Sequence, residues 1–308
     1  MSDVESDRKR LIVIMPAYME EERITEAVMA VRKTAPRLTE LGCDLRIYVV
    51  DDGSLDETGR LAHEAGADRV VRHRTNLGLG AAIRSGLSAA RSDAADIVVK
   101  FDADLQHDPD DIADLIAPIV HDEAELVYGN RFDRIEYRMP FVRRAGNIIF
   151  TKLMAWLTGW PLKDSQPGIF AVGRPYLERF YLPGNYNYTQ QVLLDAYHKD
   201  MRFAHVPVSF RERTTGKSFV SFRYPFKVLP QIFLLLTTLR PLRVFVPIGL
   251  SFMLLGGSIF AWNLVLWIQG VNPEPAQNVN AILGFGLFGL QTVFFGLLGH
   301  LVISQSKS

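Results

Sequence analysis

The run FDADLQHDPDD, Phe101 to Asp111, places two carboxylates two residues apart, directly after the apolar stretch Ile97-Val98-Val99. Alternate side chains of an extended chain point the same way, so Asp102 and Asp104 can hold one hard divalent cation, with the Gln106 carbonyl as a neutral oxygen ligand. Two carboxylates brought that close without a cation repel, and one of them takes up a proton; a bound cation removes the conflict. Such a metal would in turn hold something more negative. The competing use of this charge is a solvated loop in which Asp108 or Asp110 caps the helix opening at Pro109. Capping accounts for those two acids and leaves Asp102 and Asp104 without a role.

These residues need a frame that brings distant segments together. Strand-like runs at Leu11 to Met15, Leu45 to Val50, Arg69 to Val71, Ile97 to Phe101 and Glu125 to Tyr128 alternate with amphipathic helical segments near Glu22 to Lys33, Asp56 to Ala65, Leu79 to Ala90 and Asp110 to Val120. Alternation of this kind predicts an α/β fold with βαβ units and a mostly parallel sheet, in which ligands bind beyond the carboxyl ends of the strands. The first strand runs into Pro16-Ala17-Tyr18-Met19-Glu20-Glu21, the second into Asp51-Asp52-Gly53-Ser54 and the fourth into the Asp102 segment, so acids collect on one sheet edge. Asp52-Gly53 and Asp56 taken alone also read as turn and cap chemistry.

Composition narrows the setting. The chain of 308 residues is 48% hydrophobic, enough for one large or two ordinary domains, and its 34 basic and 34 acidic residues balance, so nothing in the charge points to a nucleic-acid partner. A single cysteine, Cys43, excludes an internal disulfide and a cysteine metal cluster and fits a reducing compartment. Residues 1–10 are polar and charged, with no apolar core of a signal peptide, and are expected to be a disordered lead-in.

From Val244 to Trp267 no residue is charged, and from Val279 to Ser304 only His300 is ionisable. Each run is long enough to cross a bilayer, so a membrane hairpin is expected over about 244–267 and 279–304; a pair of buried core helices is the alternative. Arg240 and Arg243 precede the first run, Lys307 follows the second, and the loop Gln269 to Asn278 has no Lys or Arg, which by the positive-inside rule puts both chain ends in the cytoplasm. The apolar faces of PFVRRAGNIIFTKLMAWLTGW and of Phe222 to Leu239 have the spacing of helices lying on a bilayer surface, with core packing as the competing reading. Whether the hairpin's glycines, Gly256-Gly257 or Gly284, Gly286 and Gly289, pack within one chain or between copies is left open by the sequence.

PAYMEEE, VVDDGS, NLGLGAAIRSG, DADLQHDPD and DSQPG, in this order between about Leu11 and Ser218, resemble the motif series of family 2 glycosyltransferases. They are most similar to the dolichyl- or polyprenyl-phosphate sugar synthases, a subset of which also carries a trailing membrane hairpin. The resemblance implies a Rossmann-like GT-A catalytic domain over 11–221, an interfacial helix over 222–242 and a membrane domain over 243–308. It implies transfer of a sugar, with inversion, from a UDP- or GDP-linked donor to a polyprenyl phosphate, forming a lipid-linked sugar for glycan or glycoprotein assembly. A hydroxyl acceptor on a lipid-linked or polysaccharide glycan is the alternative.

By the same resemblance, Pro16, Ala17, Tyr18, Glu20, Val50, Asp52 and Ala103 would line the nucleotide-sugar pocket together with Asp102, Asp104 and Arg131. Asp102, Asp104 and Gln106 match positions that coordinate Mg²⁺ or Mn²⁺ on the donor diphosphate. Arg131, in YGNRF, would contact a donor or acceptor phosphate, or else is a surface arginine beside Asp133. Arg211, Arg213 and Lys217, in FRERTTGKS, and Arg144 would hold the acceptor phosphate, with plain anchoring to the membrane surface as the other explanation for the loop. The family pattern places a lysine after the serine of that loop, where this chain has Phe219, which makes Arg213 the firmer ligand.

Relatives acting on hydroxyls carry an acidic base near the start of a late helix; here that region reads Tyr188-Thr189-Gln190-Gln191, with no carboxylate before Asp195. A phosphate monoester is already anionic near neutral pH and needs no base, so the gap favours a phosphate acceptor. Asp164 in DSQPG is a reserve candidate, and equally a turn residue before Pro167 and Gly168. Gly78-Leu79-Gly80 lacks the third glycine of a dinucleotide fingerprint.

Overall fold

The computed structural model describes residues 8–132, 147–148, 151–152, 154–156, 158–185, 188–210, 237 and 241–305. The chain divides into two units, Met1–Lys217 and Ser218–Ser308.

The first unit is a seven-stranded sheet with helices between the strands. In chain order it runs β1 (Lys9–Ala17), α1 (Ile24–Arg32), α2 (Ala35–Glu40), β2 (Cys43–Asp51), α3 (Thr58–Glu64), β3 (Arg69–Arg72), α4 (Leu79–Ser92), β4 (Ile97–Lys100), α5 (Asp111–Val120), β5 (Leu126–Asn130), β6 (Phe170–Gly173), α6 (Arg174–Arg179), α7 (Tyr188–His198) and β7 (Phe203–Pro207). The spatial order is β3-β2-β1-β4-β6-β5-β7, with β6 antiparallel to both neighbours and every other pair parallel. The α/β reading from sequence holds, with the expected strands extended or trimmed by one or two residues at their ends.

Central strands buried on both faces read as unbroken apolar runs, which is why β1 and β2 stand out in the sequence. On one face Leu11, Val13 and Met15 pack with Ile24, Val28 and Val31 of α1 and with Ile112 and Ile116 of α5, all buried. On the other, Gly86 of α4 lies so close that a Cβ there would stand 3.2 Å from Ile14 and Val50. Three short elements are absent from the sequence reading. β6 is four residues long and pairs with β4, far back in the chain, while α2 and α6 are six residues each and carry a proline in the first turn.

In the second unit, α8 (Pro241–Ile268) and α9 (Val279–Gln305) form a helical hairpin. Glycine sets their approach: a Cβ on Gly289 would meet the Gly249 carbonyl oxygen at 2.5 Å, and one on Gly249 the Gly289 carbonyl oxygen at 2.6 Å. Only 11% and 17% of their most apolar windows are buried, which argues against the core-helix alternative, since core helices bury most of their apolar surface. Apart from Thr237, the segment Phe222 to Leu239 lies outside the described residues, as does most of PFVRRAGNIIFTKLMAWLTGW.

Candidate active site at the carboxyl edge of the sheet

Parallel pairing aligns the ends of β1 and β2, with Pro16 beside Val50 and Ala17 beside Asp51, and sets Ile14 beside Lys100 of β4. The Asp52 N–H donates to the Ala17 carbonyl at 2.9 Å and the Phe101 N–H to the Ile14 carbonyl at 3.0 Å, carrying the register past the strands into the loops. After β1 the chain turns through Met19 (φ 55°) and is pinned from the next loop. The Met19 N–H donates to Ser54 Oγ at 3.0 Å and the Glu20 N–H to Thr58 Oγ1 at 2.9 Å. Tyr18 stays half exposed at this edge.

The DDGS turn is built from its own acids. Asp51 is buried and accepts the Ser54 N–H at 2.9 Å; Asp52 accepts from Leu77 N–H at 3.0 Å, Gly78 N–H at 2.8 Å and His73 Nδ1–H at 2.6 Å. His73 is itself held by Ser85 Oγ at 2.8 Å. Asp52 thus fixes the 77–78 loop against β2, a structural task the sequence reading did not assign to it. Gly53 has φ 76°, and a Cβ there would lie 2.4 Å from the Thr75 carbonyl carbon, so only glycine fits.

The Asp102 segment departs from the expected extended form. Strand β4 ends at Lys100, and Ala103-Asp104 form a turn with Leu105 at φ 58°, so alternation along a strand is not what sets the two carboxylates. Asp102 turns back onto Lys100: Nζ to Oδ2 is 2.6 Å, and the same ammonium donates to the Gly168 carbonyl at 2.6 Å. Lys100 is fully buried and also lies 5.6 Å from the Tyr188 ring centre. Burial alone would drive its pKa down, but the facing Asp102 carboxylate and Tyr188 outweigh it and hold the value above the usual one. Asp104 is partly exposed and its Oδ1 accepts the Gln106 N–H at 3.2 Å. Among the described residues no three His, Cys, Asp or Glu side chains gather as a metal cluster. The oxygen-only set of Asp102, Asp104 and Gln106 suits a hard cation that draws its remaining ligands from a phosphate and water, and Asp102 Oδ1 is left outside the Lys100 pair.

Arg131 is not the surface arginine offered as the alternative to a phosphate contact. It is 7% exposed, and its guanidinium forks onto Asp164, with Nε to Oδ2 at 2.8 Å and Nη2 to Oδ1 at 3.3 Å. Asp164 is fully buried and accepts further from Gln166 N–H at 2.9 Å and Asn147 Nδ2 at 3.3 Å. The pair therefore builds the DSQPG loop from inside. That loop ends at Gly168, which antiparallel β6 delivers to Lys100, so the one ammonium that pairs with Asp102 also ties the loop to the DAD turn. Asp133, Arg144, Arg211, Arg213 and Lys217 lie outside the described residues.

Two residues here went unread in the sequence. Lys100 carries the clearer signal, because a lysine inside a strand buried on both faces must have a counter-charge within reach. His107 is the other, packed against Phe210 with ring centres 5.0 Å apart and so near Gly168 that a Cβ there would lie 2.2 Å from Nε2. Burial lowers its pKa from 6.5 to about 4. A folded histidine held neutral contributes stability above the unfolded value, and that contribution is lost as the pH falls from 6.5 toward about 4, to a total of roughly 3 kcal/mol. Urea unfolding at pH 7 and pH 5 should therefore show a drop that His107→Leu largely removes.

In α7 the first turn carries no acid, and Asp195 is engaged by the Tyr181 N–H at 2.9 Å and by Lys199. Among the described residues, this helix offers no carboxylate placed as a base for a hydroxyl acceptor.

A family profile described as "Glycosyl transferase family 2" matches residues 12–180. The UDP-N-acetylglucosamine–dolichyl-phosphate N-acetylglucosaminyltransferase of Methanococcus voltae is 34% identical over 188 residues, 55% of this chain and 72% of that one. The undecaprenyl-phosphate 4-deoxy-4-formamido-L-arabinose transferase of Salmonella paratyphi B is 27% identical over 307 residues, 96% of this chain and 88% of that one, so the match runs through the hairpin. Among solved structures, glucosyl-3-phosphoglycerate synthase from Mycobacterium tuberculosis in complex with Mn²⁺, UDP and glucosyl-3-phosphoglycerate superposes with TM-score 0.53 at 25% identity, over 70% of this chain and 75% of that one.

Proposed function

The chain belongs to glycosyl transferase family 2, and from that premise we propose that it transfers a sugar from a nucleoside-diphosphate donor to a polyprenyl phosphate at the cytoplasmic face of a membrane. The observation that carries this reading is one chain joining an acidic edge on a GT-A-type sheet to an apolar two-helix hairpin. The match to an undecaprenyl-phosphate sugar transferase across 96% of the chain supports it. The hairpin keeps the catalytic unit where a lipid phosphate can reach it, with both chain ends cytoplasmic.

In this reading Pro16, Ala17, Tyr18, Glu20 and Val50 line the nucleotide side, with Asp52 bracing the wall behind them. Asp102, Asp104 and Gln106 hold Mg²⁺ or Mn²⁺ on the donor diphosphate; when bound, the cation supplies positive charge against the departing nucleoside diphosphate. Lys100 keeps Asp102 in place. Arg131 acts by ordering the DSQPG loop through Asp164 rather than by touching phosphate. Arg213, aided by Arg211, Lys217 and Arg144, grips the acceptor phosphate, whose own oxygen attacks the sugar C1 from the face opposite the leaving group, inverting it. No side chain need take a proton from an acceptor that arrives ionised, which matches the acid-free start of α7.

The test is incubation of the detergent-solubilised chain with Mn²⁺ or Mg²⁺, a short polyprenyl phosphate and a panel of UDP- and GDP-sugars, with lipid products read by mass spectrometry. The names of the Methanococcus voltae relative and the Mycobacterium tuberculosis complex put uridine donors first in the panel. One glycosylated lipid phosphate is expected. Binding or hydrolysis of a donor with no lipid product would overturn the acceptor assignment.

A further inference from the structure

Helix α9 turns one face to its partner helix and leaves the other open. A Cβ added at Gly289, Gly296 or Gly299 would stand within 3.0 Å of α8, so that stripe is the packed seam. Two residues past Gly289, and so about 200° round the helix, is Gln291. It is exposed, as are Leu287, Phe294, Phe295 and Leu298 on the same side.

Gln291 also sits at the midpoint of the apolar span Val279–Val302. In a bilayer this is the depth farthest from water, and hydrocarbon offers no partner to an amide with two donors and a carbonyl. Three other polar side chains of the hairpin are satisfied within it. Thr292 Oγ1 donates to the Phe288 carbonyl at 2.7 Å, Ser251 Oγ to the Pro247 carbonyl at 2.8 Å and Asn263 Nδ2 to the Gln277 carbonyl at 2.8 Å. The Gln291 side chain has no hydrogen bond to any described residue. Seven residues earlier on the same stripe is Gly284, where an added Cβ would meet nothing within 4 Å. The hairpin's own seam uses glycine for backbone contact; on the open face the same device has no partner.

We propose that the hairpin pairs with a second copy of this chain through the Gly284–Gln291–Leu298 face, with the two Gln291 amides hydrogen-bonded to each other across a two-fold axis. An amide is both donor and acceptor, so an identical amide meeting it on a symmetry axis satisfies both functions at once. Gly284 lets the two α9 helices approach closely. The inference rests on the hairpin being in a bilayer, and its test keeps the two apart.

Cys43 is buried and is the only native thiol, so a cysteine added in the hairpin reports alone. In membranes treated with a mild oxidant, Leu298→Cys, on the proposed face and with Gln291 kept, should give mostly disulfide-linked dimer. Leu297→Cys, also exposed but about a third of a turn away from Gln291 on the helix surface, should give at least fivefold less. In detergent, Gln291→Leu should weaken dimerisation at least tenfold by light scattering, and Gln291→Asn should keep most of it. Equal cross-linking at 298 and 297, or a native chain that is monomeric in both membrane and detergent, overturns the proposal. Carbonate extraction is run beside these arms: a chain that stays in the membrane without cross-linking at 298 sinks the dimer alone, whereas one released without detergent sinks the membrane placement as well.

Discussion

Asp104→Ala should cut sugar transfer about a thousandfold while leaving the melting temperature within a few degrees of native, an electrostatic loss of roughly 4 kcal/mol in the transition state. The carboxylate is partly exposed, so removing it strips charge from the site without opening the core. Asp102 is the poorer choice for this experiment despite its place in the same motif. Its removal strands the buried Lys100 ammonium without its counter-charge and mixes lost chemistry with lost stability. The two are separated by measuring Mn²⁺ binding in the presence of nucleoside diphosphate together with thermal melting. Asp104→Ala should lose the metal and keep its melting point; Asp102→Ala should lose both. An Asp104→Ala protein retaining more than about a tenth of native turnover would remove that carboxylate from the mechanism.

The second large effect is on stability. Asp164→Ala should destabilise the catalytic unit by about 3–5 kcal/mol, because Arg131 is left buried with a charge and no partner. The loss extends to the Gln166 N–H and the Asn147 amide, both of which donate to the same carboxylate. For a unit of this size, a melting temperature lower by roughly 6–20 °C is expected. Replacing both partners by apolar residues, Arg131→Met with Asp164→Leu, should recover a large part of the melting temperature and little of the activity, since the charge conflict goes but the loop's hydrogen bonds do not return. Single and double variants that melt alike would show that the pair is not holding the loop.

What the sequence reveals and what it hides follow one physical division. Strands β1, β2 and β4 are legible because burial on both faces demands unbroken apolar runs, and the acids after them are legible because such a run breaks into charge where the strand gives way to a turn. The hairpin is legible from length and lack of charge alone. Pairings between distant segments are not. Nothing local to YGNRF says that Arg131 will meet Asp164, and nothing local to VVKFDAD says that Lys100 will meet Gly168. Asp52 shows the same limit from the other side. Its position at a strand end marks it for the site, but only the fold shows its carboxylate spent on Leu77, Gly78 and His73. Sequence locates the edge where chemistry happens, and tertiary pairing decides which charges there remain free for it.

Because β6 lies between β4 and β5, the ribosome delivers this sheet out of order. Strand β4 ends at Lys100, and its antiparallel neighbour begins at Phe170. At a synthesis rate of about 5–20 residues per second, the open side of Val98 and Val99 waits roughly 4–14 s for its mate. Throughout that interval the nascent chain carries an apolar strand with unmet backbone groups, the kind of edge that recruits other chains, and the Lys100 ammonium beside Asp102 is the nearest charge on it.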